Sequence, residues 1–245
     1  MNYENVIFEK KGSIAVVTLN RPEKKNALNE QLHAEFVGII EEIEKSEELK
    51  VMLVTGGHEV FSAGSDLSDV TDKLPGGPNA IERVAEMLKP TIAVINGWCV
   101  AGGLELALSC DFRIVSEKAL IGDRHIRMGL IGGAGSPTRL TRLIGLSKAK
   151  ELVLTGNVVN GEEAYCIGFA NRVFPEGKVM DGAMEFAEKL ANSSVTALKL
   201  SKKSVNSAMD MSEYESIHQV KLLAEELLAS AEFRERVDNF LSKKK

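Results

Sequence analysis

The segment KPTIAVINGWCVAGGLELALSCD, residues 89–111, joins an apolar run to a helix through glycines. Its first part, Thr91–Ile95, is typical of a buried strand, and Leu and Ala recur at helical spacing after Gly103. The first N–H groups of a helix have no partner within the helix and lie at the positive end of its dipole. Because glycine lets another group approach closely, we predict an anion site here, with Glu105 facing it. Close glycine packing beside an ordinary first-turn acid is the alternative.

Composition and charge narrow the class of protein. With 245 residues, 44% of them hydrophobic, the chain can bury one large core. A net charge of −5 argues against nucleic-acid binding, so a phosphate-bearing ligand must meet local basic residues. Three cysteines without a Cys-x-x-Cys pair predict a reduced cytoplasmic location. We expect no membrane partner, since neither an export signal nor a membrane-spanning apolar run is visible.

Strand, loop and helix alternate along most of the chain. Such βα units favour sheets flanked by helices, so the predicted fold class is α/β. The polar segment 68–78, which contains Pro75-Gly76-Gly77-Pro78, predicts a mobile surface loop. The predicted strands are 6–9, 14–19, 51–55, 91–95, 112–115 and 119–122, and the predicted helices are 30–45 (N-cap Asn29), 79–88, 104–110, 138–144 (begun by Pro137) and 148–154 (N-cap Ser147).

The last part of the chain differs in composition. After residue 177 proline is absent, glycine is scarce, and helical patterns occur at 184–190, 195–209, 214–228 and 233–241. We interpret it as an all-helical region. Its apolar positions, among them Tyr214, Ile217 and Phe240, need a surface to cover on this subunit or on a neighbour. Self-association is the expectation.

Several kinds of site fit the sequence poorly. The run Gly132-Gly133-Ala134-Gly135 is not followed by Gly-Lys-Ser/Thr and lacks Gly-x-Gly-x-x-Gly spacing, which argues against a nucleotide loop. The four histidines are scattered, which argues against a metal site. Ser65 is not in a Gly-x-Ser-x-Gly sequence and is better interpreted as a backbone donor than as a nucleophile. The loops at 63–66 and 101–103 can each supply one N–H to an oxyanion hole, although spacing leaves their convergence open.

The chain resembles the enoyl-CoA hydratase/isomerase (crotonase) family from end to end. The segments that carry the resemblance are NRPEKKNALNEQL (20–32), VFSAGSDLSDV (60–70), residues 89–122, GLIGGAGSPTRLTRLIG (129–145) and AKELVLTG with EEAYCIGFANRVFP (149–156 and 162–175). The resemblance implies a crotonase-like spiral of ββα units in residues 1–190, carrying the acyl-CoA site. Residues 191–245 are then a helical oligomerisation region that forms trimers, often paired into hexamers. No metal or separate cofactor is implied, because coenzyme A arrives as part of the substrate.

The resemblance also implies roles for individual residues. The backbone N–H groups of Ser65 and Gly102 would form the oxyanion hole that polarises the thioester carbonyl. Glu105 falls on the first of the two catalytic glutamates of hydratases. The residues that would line the coenzyme A nucleotide and pantetheine, with a lysine meeting phosphate, are Lys24, Lys25, Ala27, Leu28, Ala63, Asp66 and Leu67.

The second glutamate of the family is missing. It normally lies in a Gly-x-Pro-Glu segment, which here reads Gly122-Asp123-Arg124-His125. A family isomerase depends mainly on that second glutamate, so its loss counts against an isomerase more than against a hydratase. We predict that His125 replaces it as the acid/base partner of Glu105, because imidazole transfers protons near neutral pH. The alternative is a loop histidine that only fills space.

The expected activity is addition of water across C2=C3 of a 2-enoyl-CoA thioester, or the reverse, through a stabilised enolate. Two alternatives stay open: another acyl-CoA enolate reaction (decarboxylation, retro-aldol cleavage, isomerisation or thioester hydrolysis), and a non-catalytic acyl-CoA-binding protein. Acyl-chain preference depends on how residues 70–88 and the last helices close the pocket. Trp98 either borders that pocket or belongs to the core.

Overall fold

A computed structural model describes residues 3–68 and 79–242, and ten strands form two sheets within them. Most of the predicted mobile loop at 68–78, and the part of the predicted pocket closure at 70–78, lie outside the described residues. The strands are β1 (Val6–Lys11), β2 (Ile14–Leu19), β3 (Val51–Thr55), β4 (Val60–Ser62), β5 (Thr91–Ile95), β6 (Trp98–Val100), β7 (Phe112–Ser116), β8 (Leu120–Gly122), β9 (Val159–Asn160) and β10 (Arg172–Phe174).

The larger sheet has six strands in the order β1-β2-β3-β5-β7-β10. Its first pair is an antiparallel hairpin, and all its other pairs are parallel. Every residue of β3 and β5 is buried, as the continuous apolar runs predicted, because helices cover both faces of a parallel sheet. The smaller sheet has the order β4-β6-β8-β9.

Helices follow the strands in a regular order along the described chain. They are α1 (Glu30–Lys45), α2 (Ala80–Glu86), α3 (Gly102–Ser109), α4 (Ser136–Ile144), α5 (Leu146–Thr155), α6 (Gly161–Cys166), α7 (Val179–Ala191), α8 (Val195–Ala208), α9 (Glu213–Ala229) and α10 (Ala231–Ser242). None of them is both long enough and apolar enough to cross a membrane in the described part of the chain.

The unit β-β-α repeats three times, as β3-β4-α2, β5-β6-α3 and β7-β8-α4. The first strand of each unit joins the large sheet and the second joins the small one. This repetition is the spiral of ββα units that was predicted. It places the loops that leave β4 and β6 next to each other, since these two strands pair in parallel.

Apolar side chains on α1 and α7 cover opposite faces of the large sheet. In α1 the buried residues are Leu32, Phe36, Ile39, Ile40 and Ile43, and the Asn29 side chain accepts from Leu32 N as the predicted N-cap. In α7 small residues at intervals of four face the sheet, which lets this helix pack closely: Val179, Ala183, Ala187 and Ala191.

Two local predictions are wrong, and one of two alternatives for Trp98 is excluded. Ser147 does not cap a helix, because α5 begins at Leu146 after Gly145, whose φ of 80° suits glycine. Of the two alternatives for Trp98, a place in the core is excluded, because the residue lies on β6 with 38% of its surface exposed. The residues after the turn at Asn96-Gly97 were expected to lead directly into the helix, but Trp98–Val100 forms a strand that pairs with β4 and β8. Gly97 permits this, because a Cβ there would collide with the carbonyl of Glu59.

The last three helices bury little in this chain. Leu223 is the buried residue of α9, and none of the described residues of α8 and α10 is buried. Lys202 anchors α8, because its Nζ lies 2.7 Å from Asp111 Oδ2 and donates to the carbonyl of Lys89 at 3.2 Å. The division of the chain at residues 190 and 191 stays a prediction.

Candidate active site

Helix α3 places Glu105 in the middle of the candidate site. Gly102 and Gly103 start the helix, and every residue of α3 is buried. A Cβ on Gly103 would lie 2.5 Å from the carbonyl oxygen of Ser62, so glycine is required for the close approach of α3 to β4. Glu105 is 3% exposed and lies in the first helical turn, where the helix dipole favours a negative charge.

Two backbone N–H groups hold one oxygen of the Glu105 carboxylate. Oε1 accepts from Ala134 N at 2.8 Å and from Ser136 N at 3.1 Å. Ala134 lies within the glycine run at 132–135 and Ser136 directly follows it, so this run folds over a carboxylate rather than over a phosphate. A Cβ on Gly132 would collide with Ser136 Oγ, so this fold of the loop requires glycine.

The other oxygen of Glu105 faces His125. Glu105 Oε2 and His125 Nε2 are 3.7 Å apart, and the two side chains are 4% and 11% exposed. That separation is too long for a direct hydrogen bond and leaves both atoms available to one small molecule between them. The structure thus brings together the two side chains predicted to be catalytic, and the catalytic role of His125 stays a prediction.

Asp123 holds the far side of the imidazole ring. Its Oδ1 lies 2.9 Å from His125 Nδ1 and accepts from His125 N at 3.1 Å. A carboxylate can only accept, so Nδ1 carries a proton and Nε2 points at Glu105. Asp123 Oδ2 in turn accepts from Ser136 Oγ.

Burial and charge move the pKa values of these groups in different directions. Burial raises the pKa of Glu105 above its ordinary value, against the opposing N–H of Ser136 and the charge of His125. Burial also acts to lower the pKa of His125, but the hydrogen bond to Asp123 and the charges of Asp123 and Glu105 outweigh it and raise that pKa. For Asp123 burial is outweighed by hydrogen bonds from His125 and Ser136, which lower its pKa.

The loops predicted to form an oxyanion hole lie against each other. A Cβ on Gly102 would be 3.1 Å from both the N and the Oγ of Ser65, and one on Gly64 would be 2.8 Å from Ala101 Cβ. Gly102 is the first residue of α3, so its N–H has no partner within the helix. The N–H of Ser65 points away from Leu28, because the bridge between them uses Gly64 O and Asp66 N.

The predicted coenzyme A loop runs beside the same segment. Ala63 N donates to Lys25 O, Leu28 N to Gly64 O, and Asp66 N to Leu28 O, at 2.8–3.0 Å. The side chain of Leu28 is buried in the core, so only its backbone is available to a ligand. Lys24 and Lys25 are exposed, Ala27 is half-buried, and Ala63 and Leu67 are exposed.

Arg21 and Asn26 support this loop, and sequence reasoning did not single them out. Arg21 Nη1 lies 2.9 Å from Asp66 Oδ2 and donates to Ala27 O at 2.6 Å. The buried Asn26 side chain donates to the carbonyls of Gly56 and Val60. Hydrogen bonds from Ser68, with the guanidinium of Arg21, lower the pKa of Asp66 to about 2. That carboxylate is therefore charged and already paired.

Asp123, Ala134 and Ser136 were also absent from the predicted site. A signal for Asp123 exists, since an acid two residues before a histidine can reach its ring. For Ala134 and Ser136 the glycine run indicated close backbone approach, but not what would approach. No cluster of three or more His, Cys, Asp or Glu side chains that could hold a metal ion occurs among residues 3–68 and 79–242.

The sequence profile described as enoyl-CoA hydratase/isomerase matches residues 9–245. A short-chain-enoyl-CoA hydratase of Clostridium acetobutylicum is 38% identical over 218 residues, covering 85% of this chain and 84% of the relative. A crotonyl-CoA hydratase of Syntrophomonas wolfei is 34% identical over 218 residues, which again cover 85% of this chain and 84% of the relative. The crystal structure of an enoyl-CoA hydratase from Bacillus anthracis superposes with a TM-score of 0.90 at 30% identity, covering 98% and 96% of the two chains.

Proposed function

Because the chain belongs to the enoyl-CoA hydratase/isomerase family, we propose that it adds water across C2=C3 of a 2-enoyl-CoA thioester, or removes it in reverse. It is an enzyme of the hydro-lyase class. The observation that carries this proposal is the pair of Glu105 Oε2 and His125 Nε2, 3.7 Å apart, with Glu105 on the helix that begins at Gly102 and with Gly102 against Ser65.

Glu105 and His125 divide the proton transfers between them. Glu105 Oε2 takes a proton from water, and the water oxygen bonds to C3. The C2=C3 electron pair moves toward C1, and the thioester carbonyl becomes an enolate. C2 then takes the proton of His125 Nε2, and the proton on Glu105 returns to His125. The balance is one H at C2 and one OH at C3, with both side chains restored.

The N–H groups of Ser65 and Gly102 stabilise the enolate oxygen. One donor of this type is worth about 2.7–4 kcal/mol of barrier lowering. The positive end of the α3 dipole adds to this effect, since Gly102 is the first residue of that helix. These donors are fixed by the backbone before substrate arrives, so no reorganisation is required at the reacting step.

The rest of the thioester lies along the loop at 24–28. Exposed Lys24 and Lys25 supply positive charge for the phosphates in a protein with a net charge of −5. Ala27, Leu28 and Ala63, together with Asp66 and Leu67, follow the pantetheine by backbone and apolar contact. No metal or separate cofactor enters this chemistry, because coenzyme A is part of the substrate.

A short acyl chain is the substrate we favour. The relatives from C. acetobutylicum and S. wolfei are named for short-chain enoyl-CoA and crotonyl-CoA. We further propose a cytoplasmic homotrimer or homohexamer, because many large apolar side chains of the described surface are exposed, such as Ile131 at 83% and Tyr214 at 82%.

Mass analysis of the product tests the reaction class. Incubation with crotonyl-CoA is expected to give a thioester heavier by one water. Free coenzyme A would indicate thioester hydrolysis instead, and binding without turnover on any 2-enoyl-CoA would indicate a binding protein. A product of unchanged mass with a moved double bond, from a 3-enoyl-CoA, would indicate an isomerase.

A further inference from the structure

We propose that Asp123 and Ser136 are positioning residues: Asp123 holds His125 as an imidazolium with its Nε2–H directed at Glu105, and Ser136 fixes the orientation of Asp123. This inference rests on the function proposed above, since it describes how the proton donor for C2 is kept ready. Neither residue contacts the reacting atoms in this account. They act through His125 and Glu105.

Both oxygens of Asp123 are used. Oδ1 takes the ring Nδ1–H at 2.9 Å and the backbone N–H of His125 at 3.1 Å. Oδ2 takes the hydroxyl of Ser136. The side chain is 1% exposed, so water does not compete for these positions. A buried carboxylate with this set of donors stays ionised, and its charge favours a protonated ring next to it.

Ser136 connects the two halves of the site. Its backbone N–H donates to Glu105 Oε1 at 3.1 Å, while its hydroxyl donates to Asp123. It is fully buried and lies in the first turn of α4, beside Pro137. One residue therefore fixes the orientation of the base and, through Asp123, of the acid.

The acidic groups that face His125 are Asp123 on one side of the ring and Glu105, from α3, on the other. The neighbouring guanidinium groups have other partners. Arg124 lies over the ring of Trp98 at 5.8 Å, and Arg127 Nη2 donates to Asn157 at 3.2 Å.

The basic groups of the adjacent helices are also held elsewhere. From α4, Arg139 Nη1 donates to the carbonyl of Ala134 at 2.6 Å. From α5, Lys148 pairs with two glutamates at the surface, at 3.1 Å and 2.8 Å. The local balance around His125 is therefore acidic, which agrees with the direction in which its pKa is moved.

The arrangement has a consequence for the working pH. A carboxylic acid in place of His125 would be neutral in its proton-donating form, whereas an imidazolium is attracted by both Glu105 and Asp123. The active form has Glu105 ionised and His125 protonated. Activity is then lost at low pH when Glu105 takes a proton, and lost at high pH when His125 gives up its own.

Titration of His125 in the free protein tests the proposal. The protein has four histidines, so 15N-histidine labelling with a His125→Gln reference assigns the signal. In Asp123→Asn the pKa of His125 is expected to fall by about 1–3 units, because an adjacent negative charge is removed while the shape is kept. The basic limb of the pH profile of kcat is expected to move to lower pH by the same amount, and KM stays unchanged.

Ser136→Ala is expected to change the pKa of His125 in the opposite direction. It removes the hydroxyl donor from Asp123 and keeps the backbone donor to Glu105, so Asp123 interacts more strongly with the ring and the pKa of His125 rises. The matched control is Asp181→Asn, the same chemical change at a carboxylate on α7 that is 74% exposed. This control is expected to leave both the pKa and the profile unchanged.

Two results would overturn the inference: an unchanged pKa of His125 in Asp123→Asn, or a lowered or unchanged one in Ser136→Ala. If Asp123→Asn does not fold, the pKa of His125 in Ser136→Ala tests the inference alone. Failure of the proposed function is separate, because the titration needs no substrate. If the pKa of His125 shifts as expected but the protein hydrates no 2-enoyl-CoA, the positioning roles of Asp123 and Ser136 stand and the proposed hydratase activity is wrong.

Discussion

Ala101 holds the backbone conformation that presents the Gly102 N–H. Its φ of 49° and ψ of −124° lie in a region that L-residues rarely adopt. The turn from β6 into α3 imposes this conformation, and Gly64 packs against the Ala101 Cβ from the other loop. Strain of this kind costs on the order of 1–3 kcal/mol and is retained where the surrounding structure fixes it.

Two substitutions at this position are expected to change stability in opposite directions. Ala101→Gly relieves the strain and offsets the greater freedom of glycine in the unfolded chain, so the free energy of unfolding rises by up to about 1 kcal/mol or stays level. Ala101→Val adds a β-branched side chain where φ is positive, so it lowers the free energy of unfolding. Urea unfolding of the three proteins measures both changes. An Ala101→Gly variant that is clearly less stable than the unsubstituted protein would contradict the claim that the backbone at Ala101 is strained.

At the level of single residues, the sequence indicated which residues belong to the candidate site better than it indicated which of them contact one another. Glu105 and Gly102 were found because glycines before a helical run have a direct physical meaning. Ser136 lies 31 residues from Glu105 and 13 from Asp123, and no local pattern reports a hydrogen bond over such separations. The roles assigned to Ser65, Gly102, Glu105 and His125 stay predictions until activity is measured.

Among the secondary-structure elements, α8 depends on one half-buried residue. The Lys202 side chain is 9% exposed and is bound by Asp111 and by the carbonyl of Lys89, both at the N-terminal end of β5. The contacts of α9 with α8 then carry the rest of the C-terminal region. The attachment of these helices to the sheet is therefore local rather than spread over a wide apolar face.

Lys202→Met is expected to loosen this attachment. Loss of the charged hydrogen bonds costs about 1.5–3 kcal/mol, and amide hydrogen exchange in α8, α9 and α10 should accelerate while β2, β3 and β5 stay protected. Lys203→Met changes an exposed neighbour in the same way and should leave exchange unaltered. Uniform acceleration across the sheet and the helices would show that these parts unfold together.

Elements with a strong periodic or continuous pattern were predictable, and short ones were not. Helix α1 and strands β3 and β5 were found close to their bounds, because each carries a full set of buried residues. Strands β4 and β6 have three residues each, too few for a pattern, and they form because the partner strands are already positioned by the ββα repeat. Tertiary context decides them.

For the whole molecule, the apolar surface is the main feature that one chain leaves unexplained. The exposed large side chains concentrate in the segment after β8 and in the last helices, and include Met128, Ile131, Met209, Tyr214 and Leu222. A surface of this kind is unusual for a monomer, and association between copies would cover it.

Light scattering coupled to size exclusion is expected to give three or six times the monomer mass at micromolar concentration. Ile131→Glu and Tyr214→Glu place charges in the apolar surface and should reduce the mass toward that of the monomer while the circular dichroism stays the same. Lys11→Glu on edge strand β1, where the lysine side chain is 48% exposed, is the control and should keep the assembly. A monomer in the unsubstituted protein would contradict the proposed association.

The most direct measurement is the loss of enoyl-thioester absorbance with crotonyl-CoA, for the unsubstituted protein, Glu105→Gln and His125→Ala. Gln still accepts from Ala134 and Ser136 but cannot take the proton of water. We expect fast loss in the unsubstituted protein and a decrease in kcat of about 10²–10⁴-fold in each variant, the range for removal of a general acid or base. Turnover within a few-fold in either variant would contradict the account that this pair adds water to the double bond.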